Sequence, residues 1–237
     1  MSPACSKADR SPPKIGTVHS APIPANFVIP PFPVYLFDVD GTLVDSQVDI
    51  CGAVQTVLAS RGRTDVPHEV LRRYIGRHLI EEFTELGFPL VEAEQMMVEY
   101  RAIYSARKHA GTGVYPGVAA ALARLGGRKS TATTKGTPTT RLVLEQFALL
   151  QHFDHVQGTD GFPAKPEPDV LLKSLELFGV RPADCLFIGD SPADMEAGRR
   201  AGIPTCAVTW GYGEPAELAR WEPNFWIDAP HQLLPDY

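Results

Sequence analysis

Short apolar runs alternate with amphipathic stretches along most of this 237-residue chain, and no other feature limits the possible folds as strongly. The runs VYLF, CLFIG and TCAV are typical of buried strands, and residues with helical spacing of apolar side chains stand between such runs. Strands separated by helices of about 10–15 residues form βαβ units and a parallel sheet. The sequence therefore predicts an α/β fold.

One region interrupts this alternation soon after the first apolar run. Between residues 49 and 111 the apolar residues keep helical spacing, as in Val54, Val57 and Leu58, and no strand is indicated. Glycine and proline turn signals divide the region into several helices, and GTGVYPGV marks its end as a linker. We predict an all-helical domain at 49–111, inserted into a Rossmann-like parallel-sheet core at 33–48 and 112–237 with helices on both faces.

The first 32 residues are rich in proline and serine. Such a composition offers little apolar surface to bury and repeatedly interrupts backbone hydrogen bonding. We therefore predict a disordered tail at 1–32. The segment is poor in acidic residues, so an organelle transit peptide is the alternative interpretation. It contains a single arginine, Arg10, whereas transit peptides are normally rich in arginine.

Charge and composition argue against several broad classes of function. The formal net charge of −6 disfavours general binding to nucleic acid or to a membrane surface. No apolar run approaches the roughly 20 residues of a membrane span. The cysteines, Cys5, Cys51, Cys185 and Cys206, lack metal-type spacing and are interpreted as reduced thiols. We expect a cytoplasmic protein, and the oligomeric state stays open.

Aspartates follow two of the predicted strands, at the edge where parallel sheets bind ligands. Asp38 and Asp40 follow VYLF, and Asp190 and Asp194 follow CLFIG. A helix N-cap, worth about 1 kcal/mol, explains one such aspartate, but several unpaired carboxylates at one edge repel each other. A divalent cation removes that repulsion, and oxygen ligands with solvent access favour magnesium. The sequence therefore predicts Mg²⁺ near these aspartates.

Two further segments carry groups suited to a phosphate. Lys165 in FPAKPEP stands between prolines that restrict the backbone, so it either offsets carboxylate charge and binds phosphate or is an ordinary solvated lysine. TATTKGT offers hydroxyls before a helix start, although β-branched threonines also favour a strand. From the residues alone, both interpretations of each segment stay open.

Four segments together carry a family resemblance. FDVDGTLVDS, TATTK, AKPEPD and FIGDSPADMEAG occur in that order between Val34 and Val208. They resemble the haloacid dehalogenase-like hydrolases, and the helical insertion resembles that family's cap. VYPGV, AKPEPDV and the residues around 158–160 are most similar to the phosphoglycolate phosphatase branch. A dehalogenase is disfavoured, because those members lack the second aspartate that is present here as Asp40.

The resemblance implies an activity and a role for each motif residue. The protein would be a magnesium-dependent phosphatase that hydrolyses a small phosphomonoester, such as phosphoglycolate, through an aspartyl-phosphate. Asp38 would be the nucleophile, and Asp40 the general acid and then the base. Asp38, the backbone carbonyl of Asp40, and Asp190 would bind magnesium, with Asp194 either beside these ligands or among them. The other implied site residues are Gly41 in the tight turn and Thr42 in the same loop, both at the substrate, Thr133 and Thr134 at the phosphoryl oxygens, and Lys165 beside nucleophile and phosphate.

Several alternatives accompany these assignments. The strand before Thr133 is more polar than in the family, so Thr134 is an alternative phosphate ligand. In the cap, Arg77 follows Gly76 and either pairs with a substrate carboxylate or is a solvated surface arginine.

The expected partner is a small phosphorylated metabolite. A sugar-phosphate mutase and a pyrophosphatase are alternative activities for the same motifs. A non-catalytic binding module on this fold is a third possibility from a different class. It is disfavoured because the implied nucleophile, acid, lysine and metal ligands are all present.

Overall fold

A computed structural model of the protein describes residues 28–234. The strands are β1 (Val34–Phe37), β2 (Val44–Asp45), β3 (Gly113–Val114), β4 (Arg128–Thr131), β5 (Cys185–Gly189), β6 (Thr205–Val208) and β7 (Phe225–Ile227). The helices are α1 (Gln47–Ala59), α2 (His68–Arg72), α3 (Leu79–Glu85), α4 (Leu90–Ala106), α5 (Val118–Arg124), α6 (Thr137–Gln146), α7 (Asp169–Phe178), α8 (Pro192–Ala201) and α9 (Pro215–Leu218). Among the described residues, five strands form one sheet in the order β4-β1-β5-β6-β7, while β2 and β3 form a separate pair.

Neighbouring strands of the larger sheet all run parallel. Its central strands β1 and β5 are buried along their whole length, which explains why they are continuous apolar runs. Side chains alternate between the two faces of β1. Tyr35 and Phe37 pack with residues of α5 and α6, and Val34 and Leu36 pack with residues of α7 and α8. The α/β fold with helices on both faces of a Rossmann-like sheet is confirmed.

Helices α7 and α8 both end at a glycine, and α8 also begins with an N-cap. α7 stops at Gly179, whose φ of 62° is left-handed and suits glycine. At the start of α8, the Ser191 side chain accepts a hydrogen bond from the Asp194 N–H, and the helix ends at Gly202, which has a left-handed conformation. These caps are local signals, so the boundaries are readable without tertiary contacts.

Three segments differ from the expected pattern. DHVQGTD, residues 154–160, stands where the alternation of strands and helices predicts a further strand. It instead runs beside β4 through isolated bridges, such as Ser130 to His155 and Thr133 to Gly158. The linker GTGVYPGV contains β3, which pairs antiparallel with β2. β7 was not expected, and it adds an edge strand to β6.

Helices α1 to α4 bury an apolar cluster of their own, here called the cap cluster, which runs from Ile50 to Tyr104 and includes Tyr212. Met96 is fully buried in it, so this side chain packs in the interior of the cap instead of facing a ligand. The cap cluster is distinct from the two clusters on the faces of the sheet. The domain boundaries at 49–111 stay a prediction.

The end of the predicted tail lies within the described residues. Ile29 is buried in the cluster that contains Tyr35 and Phe37, and the Phe32 ring lies edge-on to Tyr35. Packing against the core therefore begins before the expected boundary at residue 32. The rest of the predicted tail, residues 1–27, lies outside the described part of the chain. Cys51, Cys185 and Cys206 are buried free thiols, as predicted.

A buried carboxyl group lies on α3, among the cap helices. Glu82 is 1% exposed, and its Oε1 has no hydrogen-bond partner within residues 28–234. Burial raises the pKa of Glu82 to about 8, and the nearby Arg77 only partly opposes this shift. The side chain is therefore neutral in the folded protein at pH values where it is ionised in the unfolded chain.

We expect Glu82→Gln to remove a pH-dependent loss of stability. Because the folded pKa lies above the unfolded value of 4.5, the wild-type free energy of unfolding falls as pH rises from about 4.5 to 8. The variant should gain about 2–4 kcal/mol over wild type by pH 8 and nearly nothing at pH 4.5. Urea denaturation across this range measures the difference, with exposed Glu94→Gln as the control. A constant difference at all pH values would contradict the prediction.

Candidate active site

The carboxyl ends of β1 and β5 bring three carboxylates together. Asp38 follows β1 directly, Asp190 follows β5 directly, and Asp194 lies in the first turn of α8. One oxygen of each lies within 4.8 Å of the others, and all three side chains are buried. They are called the acidic trio below. At such distances in a poorly solvated site, the carboxylates repel each other strongly unless a cation is present.

Lys165 supplies one of the positive charges that the trio needs. Its Nζ lies 2.7 Å from Asp38 Oδ1 and 2.6 Å from Asp194 Oδ1, and it also donates to the Ala132 carbonyl. Burial alone lowers the pKa of Lys165, but the two carboxylates raise it above its ordinary value. The side chain is completely buried, so the solvated-lysine interpretation is wrong.

Asp38 keeps one oxygen free. Its Oδ1 is bound by Lys165, whereas its Oδ2 is buried without a hydrogen-bond partner among the described residues. Burial raises the pKa of Asp38 to about 7, against the opposing effect of Lys165. An unpartnered buried carboxylate oxygen is costly and is available to a cation or to an electrophile.

The trio is chemically suited to a divalent cation. Among residues 28–234, three carboxylates face a single ammonium, so two negative charges remain when all are ionised. The donor atoms are oxygens, which Mg²⁺ prefers. Asp194 is already committed, because Oδ1 is bound by Lys165 and Oδ2 accepts from the Ser191 N–H and hydroxyl. Asp38 has an oxygen without a partner among the described residues, and the hydrogen bonds that Asp190 accepts come from neutral donors rather than from Lys165. These two are therefore the better-placed ligands of the three.

Asp190 is held in position by the loop that follows β1. The Thr42 hydroxyl donates to Asp190 Oδ1 at 2.9 Å, and the Tyr212 N–H donates to Oδ2 at 2.8 Å. Gly41 has a φ of 92°, and a Cβ there would lie 2.2 Å from Asp190 Oδ2. A Cβ at Gly211 would lie 2.3 Å from Asp190 Cβ. The glycines are required here for space, and Gly41 also for its conformation. Thr42 orients a carboxylate, and its predicted contact with substrate is not tested.

Asp40 has its partners outside the acidic trio. Its Oδ1 accepts from the Ser46 hydroxyl at 2.6 Å, and its Oδ2 lies 3.1 Å from Lys135 Nζ. Lys135 also donates to the Tyr104 hydroxyl at 2.8 Å. Burial by itself lowers the pKa of Lys135, but Asp40 and the neighbouring tyrosines raise it above its ordinary value. The two motif aspartates thus have separate cationic partners.

The two threonines after β4 differ in their partners. Thr133 is buried, and its hydroxyl oxygen accepts from the Lys135 N–H. The Thr134 hydroxyl donates to the Gly76 carbonyl in the cap at 2.9 Å. The Thr134 hydroxyl proton is already donated, whereas the Thr133 hydroxyl proton is not engaged by any described residue. The contacts therefore favour Thr133 as the hydrogen-bond donor to a phosphoryl oxygen. That assignment stays a prediction.

A cleft of about 530 Å³ lies between the sheet edge and the cap. Its lining includes Asp38, Asp40 and Thr133 from the core and Tyr104 and Arg77 from the cap. This volume falls in the range of small-molecule sites, roughly 300–1,000 Å³. The motif residues therefore open onto a space that can hold a metabolite.

Arg77 lies in this cleft with its charge already paired. Its guanidinium contacts Glu81 at 3.2 Å and Glu85 at 2.5 Å, both on α3, and it lies over the Tyr74 ring. A substrate carboxylate would have to displace these partners. The predicted role of Arg77 as a carboxylate ligand is therefore not supported by its contacts and stays an untested prediction.

These motifs, in this order on a parallel sheet with a helical insertion, match a known family. A family model described as haloacid dehalogenase-like hydrolase matches residues 35–208. The chain belongs to this hydrolase family.

Comparison of this chain with individual proteins supports the family assignment of this hydrolase. It is 35% identical to Phosphoglycolate phosphatase 1 of Pseudomonas aeruginosa over 212 residues, covering 84% of this chain and 78% of that protein. It is 33% identical to Phosphoglycolate phosphatase of Aquifex aeolicus over 208 residues, covering 85% and 94%. A crystal structure described as a predicted phosphatase from Clostridium acetobutylicum has 28% identity and a TM-score of 0.81, covering 86% and 97%.

The predicted resemblance is therefore confirmed, and this haloacid dehalogenase-like hydrolase is a phosphatase, a phosphoric monoester hydrolase. A small phosphorylated compound is its class of substrate. Within the described residues, no helix has the length and apolar character needed to cross a membrane. Cytoplasmic localisation stays a prediction.

Proposed function

We propose that this hydrolase is a magnesium-dependent phosphatase that uses Asp38 as its nucleophile and acts on a small phosphorylated acid such as phosphoglycolate. The observation that carries the proposal is the buried site around Asp38. One of its oxygens is fixed by Lys165 while the other is free, and two more carboxylates lie within 4.8 Å.

In the first step, a carboxylate oxygen of Asp38 attacks phosphorus, and the bond from phosphorus to the ester oxygen breaks. Asp40 gives its proton to the departing oxygen, so an alcohol leaves and an aspartyl-phosphate remains. Lys165 and the Thr133 hydroxyl stabilise the charge on the phosphoryl oxygens. Asp40 suits the acid role because its carboxylate faces the cleft, outside the acidic trio.

In the second step, water attacks the same phosphorus, and Asp40 takes the proton of that water. The bond from phosphorus to Asp38 breaks, phosphate leaves, and both carboxylates return to their starting states. Magnesium, held by Asp38, Asp190 and the Asp40 carbonyl, would neutralise phosphoryl charge when bound. Asp194 holds Lys165 in place through its 2.6 Å contact.

The choice of substrate rests on the relatives and on the charge of the cleft. Both curated relatives described above are phosphoglycolate phosphatases. The cleft carries cationic side chains, among them Lys135 and Arg101, beyond those that the phosphoryl group needs. A second anionic group on the substrate would meet these charges favourably.

We expect release of phosphate from phosphoglycolate with Mg²⁺ and its loss after chelation. Removing the cation leaves the trio with Lys165 as its one cationic contact within residues 28–234, so the rate should fall by about 10³-fold or more. The assay measures phosphate with excess EDTA and again after magnesium is restored in excess. The control is an unchanged far-UV spectrum of the chelated protein. A rate that survives thorough chelation would exclude the metal.

A further inference from the structure

A buried polar cluster in the cleft lies beside Asp40 and outside the acidic trio. It consists of Lys135 from the loop before α6, Tyr104 from α4, and His109 from the segment after α4. Tyr104 and His109 are 4% and 8% exposed, and the Lys135 side chain is 9% exposed. All three line the cleft that also contains Asp38 and Asp40.

These three side chains are packed against each other. The Lys135 ammonium lies 4.5 Å from the centre of the Tyr104 ring, and the His109 ring lies edge-on to Tyr104 at 5.2 Å. Tyr104 is stacked on Tyr100. Groups fixed in this way lose little conformational entropy when a ligand binds.

Each member has bonding capacity left for a ligand. The Tyr104 hydroxyl accepts from Lys135, so its own proton stays available. His109 Nδ1 is buried and has no hydrogen-bond partner in the described part of the chain, and in the Nδ1–H tautomer it is a donor. Lys135 contacts Asp40 and Tyr104, and an ammonium has three protons to donate.

The distance from Asp40 limits which cation can reach a short substrate. Asp40 must lie within hydrogen-bond reach of the ester oxygen, about 2.6–3.2 Å, to protonate it. Lys135 Nζ is 3.1 Å from Asp40 Oδ2. In phosphoglycolate, one methylene carbon separates the ester oxygen from the carboxylate. A carboxylate so close to the ester oxygen falls beside Lys135, whereas Arg77 is held by Glu81 and Glu85.

We propose that Lys135, Tyr104 and His109 form the site for a carboxylate on the leaving group, which makes Lys135 the main determinant of specificity for small phosphorylated acids. The proposal rests on the proposed phosphatase function. It assigns Lys135 a double contact, with Asp40 and with the substrate carboxylate. Tyr104 and His109 add neutral donors to the same carboxylate.

The test compares phosphoglycolate with ethyl phosphate, which has the same two-carbon skeleton without the carboxylate. The measured quantity is the ratio of kcat/KM for phosphoglycolate to kcat/KM for ethyl phosphate. Loss of a charged hydrogen bond should lower this ratio about ten- to a hundredfold in Lys135→Met. Tyr104→Phe should lower it less, by about two- to tenfold. Lys173→Met, a matched change on the exposed side of α7, should leave the ratio unchanged.

The ratio separates specificity from an effect on Asp40. If Lys135→Met slows both substrates equally, Lys135 serves only Asp40, and the proposal is overturned. A fall in the ratio for Arg77→Ala but not for Lys135→Met would assign the carboxylate to Arg77 instead. If Lys135→Met does not fold, an unchanged ratio in Tyr104→Phe and in the neutral variant Lys135→Gln would overturn the proposal. Wild-type protein inactive on both esters would overturn the proposed function itself, whereas equal wild-type rates would overturn this inference alone.

Discussion

Asp38→Asn should lower turnover by about 10⁴-fold or more while the protein stays folded. An amide is nearly isosteric with the carboxylate but cannot attack phosphorus to form an aspartyl-phosphate. The change also removes one of three crowded buried carboxylates, while Lys165 keeps Asp194 as a partner. The melting temperature in metal-free buffer should therefore equal or exceed that of wild type.

Mass spectrometry gives this prediction a direct readout. Wild-type protein quenched in acid during turnover should carry one additional phosphoryl group, and Asp38→Asn should carry none. The same spectra show whether the introduced asparagine has deamidated back to aspartate. Substantial turnover by a variant free of deamidation would rule out Asp38 as the nucleophile.

Lys165→Met should cost both stability and activity. The lysine is fully buried between Asp38 and Asp194, and removing one partner of a buried ion pair costs about 3–5 kcal/mol. In metal-free buffer, urea denaturation should show a loss of this size. Turnover should fall by about 10²–10³-fold, because a fixed charge at the phosphoryl group is lost.

A double variant distinguishes lost charge balance from lost packing. If uncompensated charge destabilises Lys165→Met, then adding Asp194→Asn should restore part of the lost free energy of unfolding. Surface Lys173→Met should change neither quantity. A double variant less stable than the single one would show that packing or the Asp194 contacts with Ser191 dominate.

The parts of this molecule that sequence predicts well are those fixed by local chemistry. The strand β1 is an unbroken apolar run, and α7 and α8 end at glycines that adopt left-handed conformations. Because strands in a parallel sheet end at one edge, the residues after β1 and β5 could be expected to converge. The structure places Asp38 and Asp190 in this way.

What sequence could not supply are contacts made across the cleft. Lys135 looks like any solvated lysine at the start of a helix, and only the fold brings it to Asp40 and Tyr104. The sequence interpretations of Arg77 are a ligand of a substrate carboxylate or a solvated arginine, although Glu81 follows at the i+4 spacing that favours an ion pair. That signal was present in the sequence. Its second partner, Glu85, lies eight residues along the chain, and only the fold brings it to Arg77.

The strand pair β2–β3, where the chain enters and leaves the helical insertion, has a consequence for the order of folding. All members of the cap cluster except Tyr212 lie between Ile50 and Tyr104, whereas β1 finds its neighbours only at Arg128 and Cys185. On a growing chain, the insertion can bury most of its apolar residues before β1 has any partner. Closure entropy grows slowly with length, about 0.6 kcal/mol for each doubling of a loop. We therefore expect the insertion to delay formation of the sheet more than it lowers the stability of the sheet.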